Sequence, residues 1–521
     1  MSGTNSRLNL SRWFVLLIAL TLAGSSYLLQ GRLGLNLADE GFLWYGAQRT
    51  AAGEVPLRDF QAYDPGRYYW CAIGSFVFGK GLVGLRLSET ICQVVGLCCG
   101  LFAARRLTAD WKLLFLVGLM LTVWMFPSHK IFDHTLLLGA VLVATRMIEE
   151  PSRNRIFGAG CFVGLCLFFG RNHAVYNLIA IGALLLLLSW KKRNETPLTR
   201  ILWFGGGIVV GAIPLFVMLL LVPGFSAAYY DSFASIFHNG TNLGIPIPWL
   251  WRVFYTGDAV AKITSVVLGC FFLALPVFYL GAVMVLLRMS LERLQKHSLF
   301  GACSFIGLLY MHHAFSRADS SHLAQAIHPF ILGLCAGTMA VGFSARRLWA
   351  LVPILALAGV TLGLWQNPFY QRFISREPWI EFDAGGEVLL PAAEARFYNC
   401  LRQFAEINFT QQDTLLIAPF TPGLYSILRR PSPLQELYFL LPATAAQQTR
   451  EIQELGSKQV NWALLSTASL DRRDDLRFSA THRLLWDYLA AQFEPLRLEC
   501  LPPGTTLFHR KVLVPNESRT E

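Results

Sequence analysis

Charge is scarce in this chain. Only 15% of its 521 residues are Asp, Glu, Lys or Arg, while 54% are hydrophobic, and the mean hydropathy is +0.45. That balance lies outside the range of soluble globular proteins and fits a polytopic membrane protein. Metal-type cysteine spacing is also missing. Of the eleven cysteines, nine fall inside or beside apolar runs, where the thiol acts as a small buried hydrophobe; no CxxC pair occurs, and Cys98 and Cys99 are adjacent within one run. A cysteine-held metal cluster is therefore not expected. The sequence has no internal repeat and no low-complexity tract. Its opening stretch SRWFVLLIALTLAGSSYLL lacks a small-residue cleavage site ahead of a mature soluble domain, so it reads as a retained first helix.

What the sequence has in abundance is apolar runs near the roughly 20 residues needed to cross a bilayer. They fall at about 13–29, 84–104, 112–126, 131–148, 156–170, 174–190, 201–222, 261–287, 298–314, 323–343 and 348–364, about eleven spans in all. An odd count puts the two termini on opposite sides. Short cytoplasmic loops collect Lys and Arg. With the N-terminus inside, the inner segments hold Arg7, Arg12, Arg105, Arg106, Lys112, Arg146, Arg153, Arg155, Lys191, Lys192, Arg193, Arg200, Arg288, Arg293, Lys296, Arg346 and Arg347, which is 17 of the 28 basic residues before position 365. The region before that position carries a net +13, and residues 366–521 a net −2. The overall +11 is thus mostly orientation, and no nucleic-acid partner is expected.

Residues 1–364 form the membrane domain in this reading. From Trp365 onward the spans stop, and 365–521 read as an exported soluble domain. AAEARFYNCLRQFAEINF, TAAQQTREIQELGSKQ (stopped by Gly456) and THRLLWDYLAAQF have helical spacing; DTLLIAPF, VNWALLST and TTLFHRKV read as strands. The alternation predicts a small α/β domain. Cys400 and Cys500 are its only cysteines, placed to pair if the compartment is oxidising.

Polar residues at membrane depth are costly and usually functional. Here they gather on the outer side. The first outer loop, about 30–70, holds Asp39, Glu40, Arg58, Asp59, Asp64 and Arg67. Within it EGFLWYGAQRTAAG has an apolar face at helical spacing and ends at Gly53, as a helix lying along the membrane surface would. FPSHKIFDHTLLL brings Asp133 and His134, FFGRNHAVYN brings Arg171 and His173, and HHAFSRADSSHLAQ brings Arg317, Asp319 and His322. Short loops should turn Asp39, Arg171 and Arg317 toward one shared outer cavity. Arginines, histidines and isolated carboxylates are what a site for a phosphate-bearing lipid and a proton acceptor contains. His312 and His313 are adjacent, so at most one can face that cavity.

The acid pair after the first span, the helix behind it, GEVPLRDF and DPGRYYW together resemble the bacterial branch of the GT-C glycosyltransferases, a superfamily that includes protein O-mannosyltransferases and lipid A aminoarabinose transferases. The resemblance is strongest over the first 105 residues. FGRNHAVYN and FSRADSSHLAQ are similar to segments of related bacterial membrane transferases. It implies a GT-C type fold and transfer of a sugar from a polyprenyl-phosphate donor to a lipid, glycan or protein acceptor, at the outer face of the bacterial cytoplasmic membrane. The C-terminal domain would then be periplasmic. The family's essential acid falls on Asp39 or Glu40, with substrate binding expected at Arg58, Asp64, Asp133, Arg171, His173, Arg317, Asp319 and His322. One departure stands out: the family's PP, preceded by Lys or His, is replaced here by DPG, which leaves the donor's identity and the role of Asp64 open. No cofactor is certain from the sequence; a divalent metal ion stays open, with no ligand set assigned. The competing classes are an O-antigen ligase or polymerase and a lipid-linked sugar transporter or flippase. Transporters commonly show paired repeats with broken helices at mid-membrane, and the early acid pair and the large exported domain argue for the transferase over a ligase.

Overall fold

The computed structural model describes residues 3–192, 197–239, 243–252, 258–342 and 347–511; Arg193 and Arg346 of the inner basic set, and the terminal Glu521, lie outside the described residues. Helices dominate. The membrane part runs α1 (Gly3–Gln30), α2 (Asp39–Ala51), α3 (Pro65–Phe78), α4 (Leu82–Ala104), α5 (Trp111–Val123), α6 (Ile131–Glu149), α7 (Arg153–Phe169) and α8 (Arg171–Lys191). It continues with α9 (Pro197–Gly211), α10 (Ile213–Leu221), α11 (Phe225–Asn239), α12 (Ala259–Arg288), α13 (Leu291–Lys296), α14 (Ser298–Ser316), α15 (Ser320–Ala340) and α16 (Leu348–Gly363).

Every one of the eleven apolar runs is helical, and the chain is a multi-pass membrane protein. Among the described residues, eight helices are long and apolar enough to cross a membrane, or nine if α9 and α10, bent by 53° at their junction, make one span. Pro214 in the first turn of α10 supplies no backbone N–H to continue the ladder, which accounts for the break. The two remaining runs are the shorter α5 and α7, of 13 and 17 residues. The helix pair α7–α9 meets through glycine: Gly160 and Gly164 face Gly207 and Gly211, and a Cβ on any of the four would run into the opposite backbone. Such small-residue stripes let transmembrane backbones approach closely, where dispersion and weak hydrogen bonds hold them.

The C-terminal part is the α/β unit that the sequence predicts. After α17 (Pro368–Ile374) come β1 (Trp379–Asp383) and β2 (Glu387–Pro391), an antiparallel hairpin turned at Gly385 and Gly386. Then follow α18 (Ala392–Asn408), β3 (Leu415–Ala418), α19 (Gly423–Leu428), α20 (Ala445–Ser457), β4 (Trp462–Ser466), α21 (Phe478–Thr481), α22 (Arg483–Gln492), β5 (Phe493–Leu496) and β6 (Thr505–Arg510). The sheet order is β3-β4-β6-β5; β3 and β4 are parallel, joined through α19 and α20, and the other pairs are antiparallel. The predicted strands and helices are all present, with α20 running one residue past Gly456. Cys400 of α18 is disulfide-bonded to Cys500.

One expectation changes. The loop helix α2 does not lie along a membrane surface: it is buried from Glu40 through Ala47, sandwiched between the membrane helices and the C-terminal domain. Its Phe42, Leu43, Trp44, Tyr45 and Ala47 are all buried, and a second layer covers the face a bilayer would have taken. Phe42 stacks on Tyr438 at 4.5 Å, Tyr45 meets Tyr425 at 5.2 Å and its hydroxyl accepts from the Ser432 N–H at 2.7 Å. At Gly41 the approach is backbone to backbone, and a Cβ there would lie 2.6 Å from Gly423 of α19. The chain entering α2 also joins the hairpin, where Gly34 N–H donates to Leu389 O at 2.9 Å and Leu389 N–H to Arg32 O at 2.8 Å. Membrane part and domain therefore share one continuous core.

Candidate active site

Asn36 starts α2. Its side-chain oxygen accepts from the N–H groups of Ala38 and Asp39, at 2.9 and 3.1 Å, a turn that Asn makes readily. Asp39 is thereby free of capping duty and makes no cap hydrogen bond. The two adjacent acids diverge, as residues 100° apart on a helix must. Glu40 turns into the protein, where its two oxygens take Arg86 Nε and Nη2 at 2.6 and 2.8 Å, and Oε2 accepts from Asn36 N–H at 3.2 Å. Arg86 spends its remaining donors on the carbonyls of Gly31, Leu33 and Gly34. The pair pins the loop to α4. Burial alone would raise the Glu40 carboxyl, and the Arg86 charge and hydrogen bonds outweigh it, holding it below the usual carboxylate range.

Asp39 points the other way, into a cavity, with its side chain 41% exposed. Tyr438 OH donates to its Oδ1 at 3.1 Å, His129 Nε2 lies 3.5 Å from Oδ2, and Lys130 Nζ lies 3.9 Å from Oδ1. Burial would raise this carboxyl too; the Lys130 charge, His129 and the Tyr438 hydroxyl more than reverse that and keep it ionised well below the usual range. Lys130 in turn donates to Tyr63 OH at 3.2 Å and sits 4.7 Å over the Tyr63 ring.

The shared outer cavity of the sequence reading is two adjoining cavities. One, of about 850 Å³, is lined by Asp39, Glu40, His129, Arg317, Asp319 and Tyr438 among others. The other, of about 1070 Å³, is lined by Arg58, Asp64, Arg67, Asp133, Arg171 and His173, with Glu436 and Glu451 on its domain side. Gln61, Tyr63, Lys130, His322 and Gln325 border both. Of the adjacent histidines, His313 lines the larger cavity, and His312 is bonded to Tyr176 at 2.9 Å.

The expected binding residues fall into three kinds. Asp133 and His173 are inward members of a saturated chain: Arg67 donates to both Asp133 oxygens at 2.6 and 3.0 Å, His173 Nε2 meets Oδ1 at 2.6 Å, and His173 Nδ1 meets Tyr310 OH at 2.7 Å. Arg171 sits differently. Its Nε pairs with Asp64 at 2.6 Å, Nη2 donates to Ser232 at 2.9 Å and the guanidinium lies 5.1 Å over Tyr229, yet among the described residues its buried Nη1 makes no hydrogen bond. A cavity-lining guanidinium nitrogen without a partner is a ready donor for an anion. Asp64, where the DPG departure falls, is the carboxylate that orients Arg171, and it also accepts from the Arg171 backbone N–H at 2.9 Å. Arg58 is held by both Asp59 oxygens and by the Pro223 carbonyl. Arg317 is a strap: bidentate to Asp471 of the C-terminal domain at 2.6 and 2.8 Å, it also bonds Asp319 and the Leu243 carbonyl. Asp319 caps α15 through His322 N–H at 2.8 Å and holds His322 Nδ1 at 2.9 Å.

Four site residues escaped the sequence reading: Tyr63, His129, Lys130 and Tyr438. His129 and Lys130 stand in FPSHKIFDH, a stretch already marked as polar at the membrane edge, so the signal was present there. Tyr438 lies almost 400 residues from Asp39 in an irregular segment, and nothing local marks it.

One further cluster lies on the domain side. Glu436, Glu451 of α20 and His482 bring one ligand atom each within 4.8 Å of one another. Burial pushes the Glu436 carboxyl up to about 7, and burial with the neighbouring Glu436 charge pushes Glu451 up to about 8. Burial pushes the His482 imidazole down to about 4, so it is neutral at pH 7.

Comparison with known proteins adds the following. No protein-family model and no curated protein matches the sequence. Among solved structures, the chain is similar to ArnT from Cupriavidus metallidurans bound to undecaprenyl phosphate, at 14% identity and a TM-score of 0.49 over 97% of this chain and 98% of that one. It is also similar to an Archaeoglobus fulgidus oligosaccharyltransferase tethered with an acceptor peptide, at 12% identity and a TM-score of 0.46 over 96% and 74%.

Proposed function

We propose that this protein is a membrane glycosyltransferase that moves a sugar from a polyprenyl-phosphate donor to a lipid, glycan or protein acceptor. The observation that carries this reading is Asp39: an ionised carboxylate that caps nothing, faces a cavity and is flanked by Lys130 and His129. The acceptor hydroxyl or amine attacks the anomeric carbon, forming the new C–O or C–N bond as the bond from that carbon to the phosphate oxygen breaks. Asp39 takes the acceptor's proton, and the lipid phosphate leaves with the electron pair. Lys130, which borders both cavities, and Arg171 with its unbonded Nη1 receive that charge. Glu40 keeps the loop in place and does not touch substrate.

In this reading the protein sits in a bacterial inner membrane, with its N-terminus cytoplasmic and residues 365–521 periplasmic. The basic residues of the inner segments support that orientation. So does the Cys400–Cys500 bridge, since disulfides persist in oxidising compartments such as the periplasm.

The test is Asp39→Asn. Asparagine fills the same space and is a far weaker base. The variant should fold, bind the donor lipid and lose about 100- to 10,000-fold in transfer rate. Near-normal transfer overturns the role of Asp39. Substrate and acceptor class come from mass spectrometry of surface glycolipids and glycoproteins with and without the gene; the sugar that disappears names both.

A further inference from the structure

We propose that Glu436, Glu451 and His482 form a binding site for a divalent transition-metal cation of the zinc class, on the wall of the larger cavity. The three side chains come from three separate places: the irregular segment after α19, the helix α20, and the residue between α21 and α22. His482 is wholly buried, and among the described residues its Nε2 has no hydrogen-bond partner while lying 3.5 Å from Glu436 Oε1. Glu451 is also buried, with Oε2 unbonded. Unpaired buried polar atoms are rare and call for an occupant.

The tautomer is fixed from behind. Thr481 Oγ1 donates its only proton to the carbonyl of Phe439 or Arg477, at 3.1 and 3.2 Å. It can therefore only accept from His482 Nδ1, 3.0 Å away, so Nδ1 carries the ring's proton and Nε2 turns a lone pair toward the two carboxylates. A lone pair aimed at these carboxyl oxygens is repulsive unless a proton or a metal cation stands between them. Gln447 Nε2 holds the outer carboxylates in place, donating to Glu436 Oε2 at 2.6 Å and to Glu451 Oε1 at 3.1 Å. This is the outer shell that metal sites use to orient their ligands. Ligand atoms on a tetrahedral zinc with bonds of about 2.0–2.2 Å stand about 3.4 Å apart, close to the 3.5 Å found here. One imidazole nitrogen with two carboxylates suits a zinc-class ion better than magnesium or calcium, which take oxygen alone.

Three protein ligands leave a fourth position, and Glu436 and Glu451 both line the cavity. The ion also sits two residues from Tyr438. The segment it would clamp is the one that binds the first loop, through Gln435 to Leu57 O at 2.6 Å, through the Leu437 and Tyr438 N–H groups to Gln61 at 2.8 Å, and through Tyr438 OH to Asp39. The cation thus stiffens the contact that orients Asp39.

Binding can be measured without donor or acceptor, so this proposal stands or falls apart from the transfer reaction. Full-length protein in detergent is stripped with EDTA, dialysed and titrated with ZnCl2 by calorimetry, and the retained zinc is counted after gel filtration. The native protein should hold one equivalent more than Glu451→Gln and His482→Gln. Thr481→Val, which removes only the outer hydroxyl, should weaken binding by roughly 10–100-fold. Glu451→Gln preserves shape and hydrogen bonding, so it remains informative if His482→Gln fails to fold. Equal stoichiometry and affinity in native protein and Glu451→Gln overturns the proposal. So does loss of the zinc in Asp39→Asn alone, which would place the ion at Asp39 and His129.

Discussion

Asp39 and Glu40 are chemically near-identical neighbours with opposite fates, decided by what each one meets. Glu40 finds a buried arginine, and breaking such a pair by removing one partner costs roughly 3–5 kcal/mol, because the other charge stays behind. Glu40→Ala should therefore lose thermal stability or fail to accumulate, while Asp39→Asn, at a part-exposed side chain, should still fold with a smaller drop in melting temperature and lose transfer. Circular dichroism of both variants checks the contrast. Both carboxyls are held below their ordinary range, so between that range and their native values the folded state binds fewer protons than the unfolded chain. Their contribution to stability is complete above the ordinary carboxylate range and is lost as pH falls through the depressed native values. Melting temperature attributable to this pair should stay level from about pH 7 to about pH 5 and fall below it, less steeply in Glu40→Ala. At Arg171 the test is donor affinity: Arg171→Gln removes a charged donor worth about 1.5–3 kcal/mol, or roughly 10- to 100-fold in the donor's Kd. Unchanged affinity would take the phosphate away from this cavity.

At the scale of elements, α2 is the part that makes the site. It is short and buried from Glu40 through Ala47, and it can stand outside the bilayer only because the C-terminal domain covers it. The covering is closest at Gly41 and Gly423, where two backbones touch. Gly41→Val has no side chain to push aside there, and overpacking of this kind costs about 1–3 kcal/mol. The expected result is a loosened domain junction, seen as faster proteolytic cutting near residue 430 with the membrane helices intact. Protection equal to the native protein would mean that α19 does not rest on α2. The α7–α9 pair is the control, since it is equally close and lies away from the cavities.

At the scale of the whole molecule, the domain is a wall of the site. It sends Tyr438 to Asp39, Asp471 to Arg317 and Glu436 to the cavity edge. Arg317→Ala should thus weaken transfer by loosening the domain, and Asp471→Ala should do the same with no further loss in the double variant. The Cys400–Cys500 bridge closes a loop of 100 residues, for which the chain-entropy model gives about 4.7 kcal/mol. Reduction should lower the melting temperature, and neither thiol should react with a probe in unfolded, unreduced protein. A reporter active only in the cytoplasm, fused at Glu521, should be silent; activity there would reverse the topology.

The sequence by itself determined what depends on local pattern. Apolar runs placed the hydrophobic helices, eight or nine of them long enough to cross a bilayer among the described residues, and alternating strand and helix signals placed the α/β domain, because hydropathy and periodicity are properties of contiguous residues. The acid pair in the first loop, the polar clusters at Arg171 and Arg317, and the two lone cysteines were legible for the same reason. Only tertiary structure decided which acid faces the cavity, that Asn36 and not Asp39 opens the helix, that Arg317 is spent on Asp471, and that Tyr438 and Lys130 stand beside Asp39. Those outcomes depend on contacts between residues up to about 400 positions apart. A side chain's charge, orientation and free valences are set by the partner that reaches it, and spacing along the chain does not encode that partner.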